Sequence, residues 1–201
     1  MTVYLVLAHD FGCNSYILTA DNKTAVVVDC ADENAFNQCE KLGLKPVAVL
    51  LTHGHFDHVG GCGKFYEKGV PIYCGEGEEK FIFSKENRSI FGGVHIPDFK
   101  IYKTLKDGEK ITLGKIDFEV IATPGHTAGS VCYIAEESLF SGDTLFYESV
   151  GRTDLPGGNF KELINSINKL FSLEDDYEVC CGHGEDTTLD YERKNNRYAK
   201  Y

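Results

Sequence analysis

Three histidines and an aspartate fall within six residues, His53-x-His55-x-Asp57-His58, directly after the short apolar run at 47–51. A run of that length behind Pro46 reads as a strand covered on both faces. If the chain stays extended beyond it, positions 53, 55 and 57 project to one side before a turn into a helix near His58. Imidazole and carboxylate are ligands for a borderline metal such as zinc. The end of a buried strand is also where α/β folds place their chemistry. No other segment restricts the architecture as strongly.

The rest of the chain alternates strand and helix signals. Residues 3–7, 16–19 and 25–29 read as strands, with turn chemistry at Asp10-Phe-Gly12 and Asp21-Asn22. A helix is expected over 32–42, capped by Asp32 and stopped by Gly43, and another after residue 58, with Val59, Cys62, Phe65 and Tyr66 on one face. A strand follows at 71–74. Residues 75–100 hold Gly75, Gly77, Gly92, Gly93 and Pro97 around Phe81-Ile-Phe83 and read as a short helix with a long loop. Strands resume at 111–113, 116–122, 131–135 and 139–141. Phe160, Leu163, Ile164, Ile167 and Leu170-Phe171 then mark an amphipathic helix, before a strand at 177–181 and a charged helix at 189–198. Each half reads strands first and helix later, which predicts α/β (α+β) layering around two sheets in one domain spanning 1–201.

Three later segments carry isolated ligand-type residues in loops after apolar strands: Thr123-Pro-Gly-His126-Thr, Ser141-Gly-Asp143-Thr and Cys181-Gly-His183-Gly. Each sets the ligand beside a glycine, which allows the backbone to bend tightly toward a common centre. The set becomes five histidines and two carboxylates. Seven donors exceed what one tetrahedral zinc takes but suit two metals sharing a bridging carboxylate, with positions left open. His9 and His95 lie in no comparable context and read as surface or packing residues.

Composition narrows the partners. Lys and Arg total 20 against 31 Asp and Glu, a formal charge of −11, which argues against binding nucleic acid or an anionic membrane surface. The early apolar run at 3–8 is too short for a membrane span and lacks the flanks of an export signal. Eight cysteines form no C-x-x-C pair and read as buried thiols of a reducing cytoplasm. A small-molecule substrate is expected.

Thr52-His-x-His-x-Asp-His-x-Gly-Gly61, Pro124-Gly-His-Thr127, Ser141-Gly-Asp-Thr144 and Gly182-His-Gly184 together resemble the metallo-β-lactamase superfamily, in its glyoxalase II-like branch. Asn14-Ser-Tyr16 and the strand ending at Asp29 are similar too, so the resemblance spans nearly the whole chain. It implies a four-layer αββα sandwich with metals at one edge of the sheets. By motif, His53, His55 and His126 would hold one metal and Asp57, His58 and His183 the other, with Asp143 bridging. Zinc is the expected ion, with iron or manganese as alternatives. Eighteen residues follow His183, so the C-terminal helical domain that binds glutathione in glyoxalase II is not expected. The family's basic substrate loop is replaced by Tyr147-Glu-Ser-Val-Gly-Arg-Thr-Asp-Leu-Pro156, where Arg152 stands near the family lysine and Asp154 near a tyrosine. Gly61-Cys-Gly-Lys-Phe-Tyr-Glu67 looks like that loop but lies on the helix after the metal motif, and no substrate role is assigned to it.

The expected reaction is hydrolysis of a thioester, such as a hydroxyacyl-glutathione, by a hydroxide that the two metals generate at neutral pH. A thiolate leaves without a dedicated general acid. Asp57 is expected to act as a ligand that also orients the hydroxide or accepts its proton. Arg152 is the candidate for a substrate carboxylate, with a loop-shaping pair to Asp154 as the competing role. Gly151-Arg-Thr-Asp154 is also similar to the loop of persulfide dioxygenases, so a mononuclear iron enzyme using His53, His126 and Asp143 stays open, as does a lactonase or β-lactam hydrolase. The charge disfavours an RNA phosphodiesterase, and the ligand count disfavours a non-catalytic closed site.

Overall fold

Alternate residues along the central strands face different layers, and this decides the architecture. In β2 (Asn14–Thr19), Tyr16 and Leu18 enter one apolar cluster while Ile17 enters another. In β3 (Thr24–Val28), Val26 and Val28 part from Val27 in the same way, and in β4 (Lys45–Leu50) Ala48 and Leu50 part from Val49. Side chains on a strand point to opposite faces with a period of two, so a strand apolar at every position needs a partner layer on each side. The computed structural model describes residues 1–8, 12–90 and 96–200; His9, His95 and most of the turn expected at Asp10-Phe-Gly12 lie outside them.

The first sheet has the order β1-β2-β3-β4-β5-β6, adding β1 (Thr2–Leu7), β5 (Ile72–Gly75) and β6 (Lys103–Leu105). Its first three strands are antiparallel, and β3 to β6 run parallel. The second sheet contains β7 (Lys110–Leu113), β8 (Ile116–Ala122), β9 (Val131–Ala135), β10 (Ser138–Gly142), β13 (Glu178–Cys181) and β14 (Thr187–Thr188), in the order β14-β13-β10-β9-β8-β7. A small hairpin of β11 (Leu145–Phe146) and β12 (Ser149–Val150) stands beside it.

Tyr16, Val28, Leu50 and Tyr73 of the first sheet meet Phe118, Val120, Tyr133 and Phe140 of the second in a shared core. The outer face of the first sheet is covered by α1 (Asn34–Lys41), α2 (Phe56–Val59), α3 (Cys62–Glu67) and α4 (Glu78–Ile82), through Phe36, Val59, Phe65 and Ile82. On the second sheet, α6 (Phe160–Phe171) buries Leu163, Ile167 and Leu170 against Ile121, Cys132 and Val179, and α7 (Leu189–Asn195) adds Leu189. Each such fully buried Leu or Ile contributes about 1.5–3 kcal/mol. The result is the expected αββα sandwich. All eight cysteines are buried free thiols, and among the described residues no helix is long and apolar enough to cross a membrane.

Several local expectations need correction. The helix after residue 58 is two short helices, broken where Gly60 and Gly61 press against the chain leaving β3. A Cβ on either would come within 2.2 Å of a carbonyl oxygen, of Ala31 or Asp32 respectively. The close approach lets Cys30 N–H donate to His58 C=O (2.9 Å) and Gly61 N–H to Cys30 C=O (2.8 Å). Glu33 stands at the N-cap of α1 without a side-chain bond, and Asp32, one position earlier than a cap, accepts at its carboxylate from the N–H of Asn34, the first residue of the helix (2.8 Å). Residues 75–90 hold a second helix, α5 (Lys85–Ser89). The last helix stops at Asn195, where the Asn196 backbone turns extended (ψ 125°) with its side chain bonded to Glu192 and Ser149 C=O, and a 3-10 turn follows (Arg197–Lys200). Strands β6, β11, β12 and β14 have two or three residues each, too few for a period-two pattern to register.

Candidate metal centre

The seven ligand candidates sit at one rim of the two sheets, five in loops and two in a short helix. His53 and His55 follow β4, Asp57 and His58 lie in α2, and His126 lies between β8 and β9. Asp143 follows β10, and His183 follows β13. Backbone bonds hold the rim together: Val131 N–H to Thr52 C=O (2.9 Å), Gly182 N–H to Gly142 C=O (2.9 Å) and Asn14 N–H to Gly182 C=O (2.8 Å). The Asn14 amide donates to Cys181 C=O and Gly184 C=O, and the Tyr16 hydroxyl to Cys181 C=O. The Asn14-Ser-Tyr16 segment therefore anchors the loop that carries His183.

The extended stretch ends earlier than expected, since His55 already occupies the N-cap of α2. Asp57 is consequently presented by a helix and not on the side of His53 and His55. One ring nitrogen from each of His53, His55 and His126 lies within 4.8 Å of the other two, and His55 Nδ1 is 2.8 Å from His126 Nε2. Asp57 Oδ2 is instead 3.3 Å from His183 Nε2. Asp143 stands between the groups, with Oδ1 3.3 Å from His58 Nε2, and Oδ2 3.4 Å from His126 Nε2 and 3.7 Å from His183 Nε2. The seven candidates thus lie together, with His53, His55 and His126 as one close group, Asp57 beside His183, and Asp143 in contact with His58, His126 and His183.

Hydrogen bonds behind the rings select which nitrogen faces the centre. His126 Nδ1 donates to Arg152 C=O (2.7 Å), His58 Nδ1 to Asp29 Oδ2 (2.8 Å) and His183 Nδ1 to Gly12 C=O (3.2 Å), which turns each Nε2 inward. Burial lowers His53 well below the ordinary imidazole range, His55 to about 3, and His126 as well. These three are neutral rings, and because His126 carries its proton on Nδ1 toward Arg152 C=O, the 2.8 Å contact is a hydrogen bond donated by His55 Nδ1 to His126 Nε2. Burial also opposes charge on His58 and His183, but neighbouring groups win. Cys13, Asp143 and Asp29 raise His58, and Asp57 with Asp143 raises His183. Against its own burial, the Asp143 carboxyl is held well below the usual carboxylate range by His58, His126 and His183.

The donors suit divalent cations. His53 Nε2, His55 Nε2 and Asp143 Oδ1 are buried without a hydrogen-bond partner, a costly condition for polar atoms. Converging neutral imidazoles and a shared carboxylate are the ligand set of a borderline ion. Exposure rises across the site, from at most 3% at His53, His55, His58 and His126 to 16% at Asp57 and 30% at His183. The open side is therefore the Asp57–His183 side. It faces a cleft of about 380 Å³ walled by Phe56, Phe146, Val150 and Leu155, with Arg152 at its edge. The Arg152 guanidinium makes two 2.7 Å bonds to the Asp154 carboxylate, so the loop-shaping pair is formed, while the Arg152 carbonyl orients His126.

Sequence reasoning missed the groups behind the ligands. Asp29, just past β3 at a φ of +54°, accepts from Thr52 N–H and Thr52 Oγ1 as well as from His58. A single acid closing a buried apolar strand was its only signal. Glu78 and Asn87, both essentially unexposed, had none, since Glu76-Gly-Glu-Glu79 reads as a solvated run. Cys13 is a buried thiol, as expected, but it packs on the His58 ring with Sγ 3.6 Å from both nitrogens, and burial pushes it up to about 12.

The sequence model of the metallo-beta-lactamase superfamily matches residues 9–183. Hydroxyacylglutathione hydrolase GloC of Haemophilus influenzae is 34% identical over 207 residues, covering 98% of each chain. Among solved structures, BLEG-1 B3 metallo-beta-lactamase superposes with a TM-score of 0.92 at 35% identity over the full length of both chains. The di-iron-bound form of TTHA1623 gives 0.84 at 33% identity, covering 98% of this chain and all of that one.

Proposed function

The chain belongs to the metallo-beta-lactamase superfamily, and within it we propose a two-metal hydrolase of thioesters, with hydroxyacyl-glutathiones as the substrate class. The observation that carries the reading is the gathering of the donor side chains at an open cleft, which His55, Asp57, His126, Asp143 and His183 line with His53 and His58 buried behind them, and with buried donor atoms left unpartnered. His53, His55 and His126 would hold one cation, Asp57, His58 and His183 the other, and Asp143 both. Bound there, the pair supplies a Lewis acid that ionises water at neutral pH and polarises a carbonyl.

The chain's own residues do the rest. Phe56, Phe146, Val150 and Leu155 give an apolar wall against which an acyl group is desolvated. Asp57, on the open side next to His183, is placed to orient the attacking oxygen and to accept its proton. A thiolate departs without help from an acid, and no carboxyl or lysine on the cleft wall is needed to protonate it. Arg152 at the cleft edge is the contact for a carboxylate on the substrate, reached when its guanidinium exchanges Asp154 for that group. Thioester specificity draws on the full-length similarity to GloC, and zinc is the proposed resident ion. The similarity to the di-iron-bound form of TTHA1623 favours iron as the second choice.

The test is elemental analysis of the purified chain together with a panel of lactoyl-glutathione, a lactone, a cephalosporin and glutathione persulfide. Two metal equivalents and a kcat/KM for the thioester at least about tenfold above the others are expected. Oxygen consumption on the persulfide with one iron bound would overturn the reading.

A further inference from the structure

The peptide between the two leading histidines is gripped from both sides by residues that supply no ligand atom. Gly54 N–H donates to Glu78 Oε1 (2.7 Å), and Gly54 C=O accepts from Asn87 Nδ2 (2.7 Å). The grip is close, because a Cβ at position 54 would lie 2.4 Å from Ile82 Cγ1. The second oxygen of Glu78 reaches the other ligand-bearing loop, accepting from Thr127 Oγ1 (3.0 Å) and Gly129 N–H (3.0 Å). Thr127 also bonds Ser130 Oγ at 2.7 Å, closing the turn that follows His126. On the far side, Asn87 is set by the Ser84 cap of α5 and by a bond to Ile82 C=O (3.2 Å).

One carboxylate therefore spans the loop of His53 and His55 and the loop of His126. A carboxylate buried this deeply is unfavourable unless its lone pairs are matched. Here each of its three donors belongs to a ligand-bearing turn. An apolar residue could fill the same volume but would not tie the two turns together. We infer that Glu78 and Asn87 are positioning residues for the three-histidine metal site, setting its affinity through the Gly54 peptide and the Thr127–Gly129 turn. The inference rests on the metal-centre reading but not on the substrate.

The experiment is a zinc titration of the full chain against a competing chelator, with melting temperatures of the zinc-free and zinc-loaded forms. Native protein is compared with Glu78→Gln, Asn87→Ala, their combination and Thr127→Ser. A carboxamide cannot accept from both Gly54 and Gly129, so Glu78→Gln should weaken one of the two zinc equivalents by about 10–100-fold. The other equivalent should stay near its native value. The rise in melting temperature on zinc binding should shrink in step. Asn87→Ala should act in the same direction, the pair should fall short of multiplying because both hold one peptide, and Thr127→Ser, which keeps the hydroxyl, should bind like the native chain. Native affinity in both Glu78→Gln and Asn87→Ala overturns the inference. So does equal weakening of both equivalents, or an equal loss of melting temperature with and without zinc. If Glu78→Gln does not fold, Asn87→Ala decides alone. Thioester hydrolysis is not read in this experiment, so a chain that fails on thioesters yet shows the selective weakening refutes only the substrate assignment.

Discussion

Replacing Asp29 by asparagine changes one atom and reverses the sense of a hydrogen bond at the metal rim. In the native chain both Asp29 oxygens accept, from Thr52 N–H, Thr52 Oγ1 and His58 Nδ1, at 2.7–2.8 Å. The proton is thus kept on Nδ1 and His58 Nε2 faces Asp143 Oδ1 at 3.3 Å. An asparagine can keep its oxygen on Thr52 N–H, but its amide then points at His58 and can only donate. The ring answers by moving its proton to Nε2, the nitrogen that a cation at the second position requires. A hydrogen bond to a charged partner is worth about 1.5–3 kcal/mol, and losing the group that orients a metal-binding histidine costs about 10–100-fold in affinity. Asp29→Asn should therefore weaken the second zinc equivalent by one to two orders of magnitude, and the three-histidine equivalent by less, since Asp29 reaches His53 only through the Thr52 hydroxyl (3.1 Å from His53 Nδ1). Elemental analysis after equilibration against a series of free-zinc buffers gives both affinities directly. Two equivalents retained at native affinity would refute the orienting role of Asp29 and the tautomer assigned to His58.

Other consequences follow from the same geometry. Gly60→Ala drives a methyl to 2.2 Å from Ala31 C=O and should destabilise the fold by about 1–3 kcal/mol in urea unfolding; an unchanged midpoint would show that the α2–α3 break relaxes freely. Burial pushes Glu78 up to about 7 from an ordinary 4.5, so the folded chain holds that proton more tightly than the unfolded one. The advantage is complete below pH 4.5 and is lost as pH rises to 7. The zinc-free stability of the native chain relative to Glu78→Gln should then fall by about 3 kcal/mol across that window. A flat difference would remove the burial argument. Arg152→Ala should raise KM several-fold for a thioester bearing a carboxylate with little change in kcat, and an unchanged KM would leave the guanidinium only its bond to Asp154.

Metal-binding residue types are rare enough, and their loops local enough, to be read before folding. His53, His55, Asp57 and His58 announce themselves by spacing within six residues. His126, Asp143 and His183 do so through glycine turns after apolar strands. The double-sided strands β3 and β4 likewise carry the layering in their own composition, because an all-apolar strand must be covered on both faces. Tertiary structure alone decided which donors Asp57 meets, since the early start of α2 at His55 moved it away from the neighbours that a period-two chain would have given it and beside His183. It also brought Asp29, Glu78 and Asn87 into hydrogen-bond contact with the ligand residues or their loops. A carboxylate or an amide has no distinctive pattern in a sequence. Its role comes from the donors it meets and the water it loses, and for Glu78 those donors are Gly54, 24 positions away, and Thr127 and Gly129, 49 and 51 away. Only the closing of the two sheets brings them to one point.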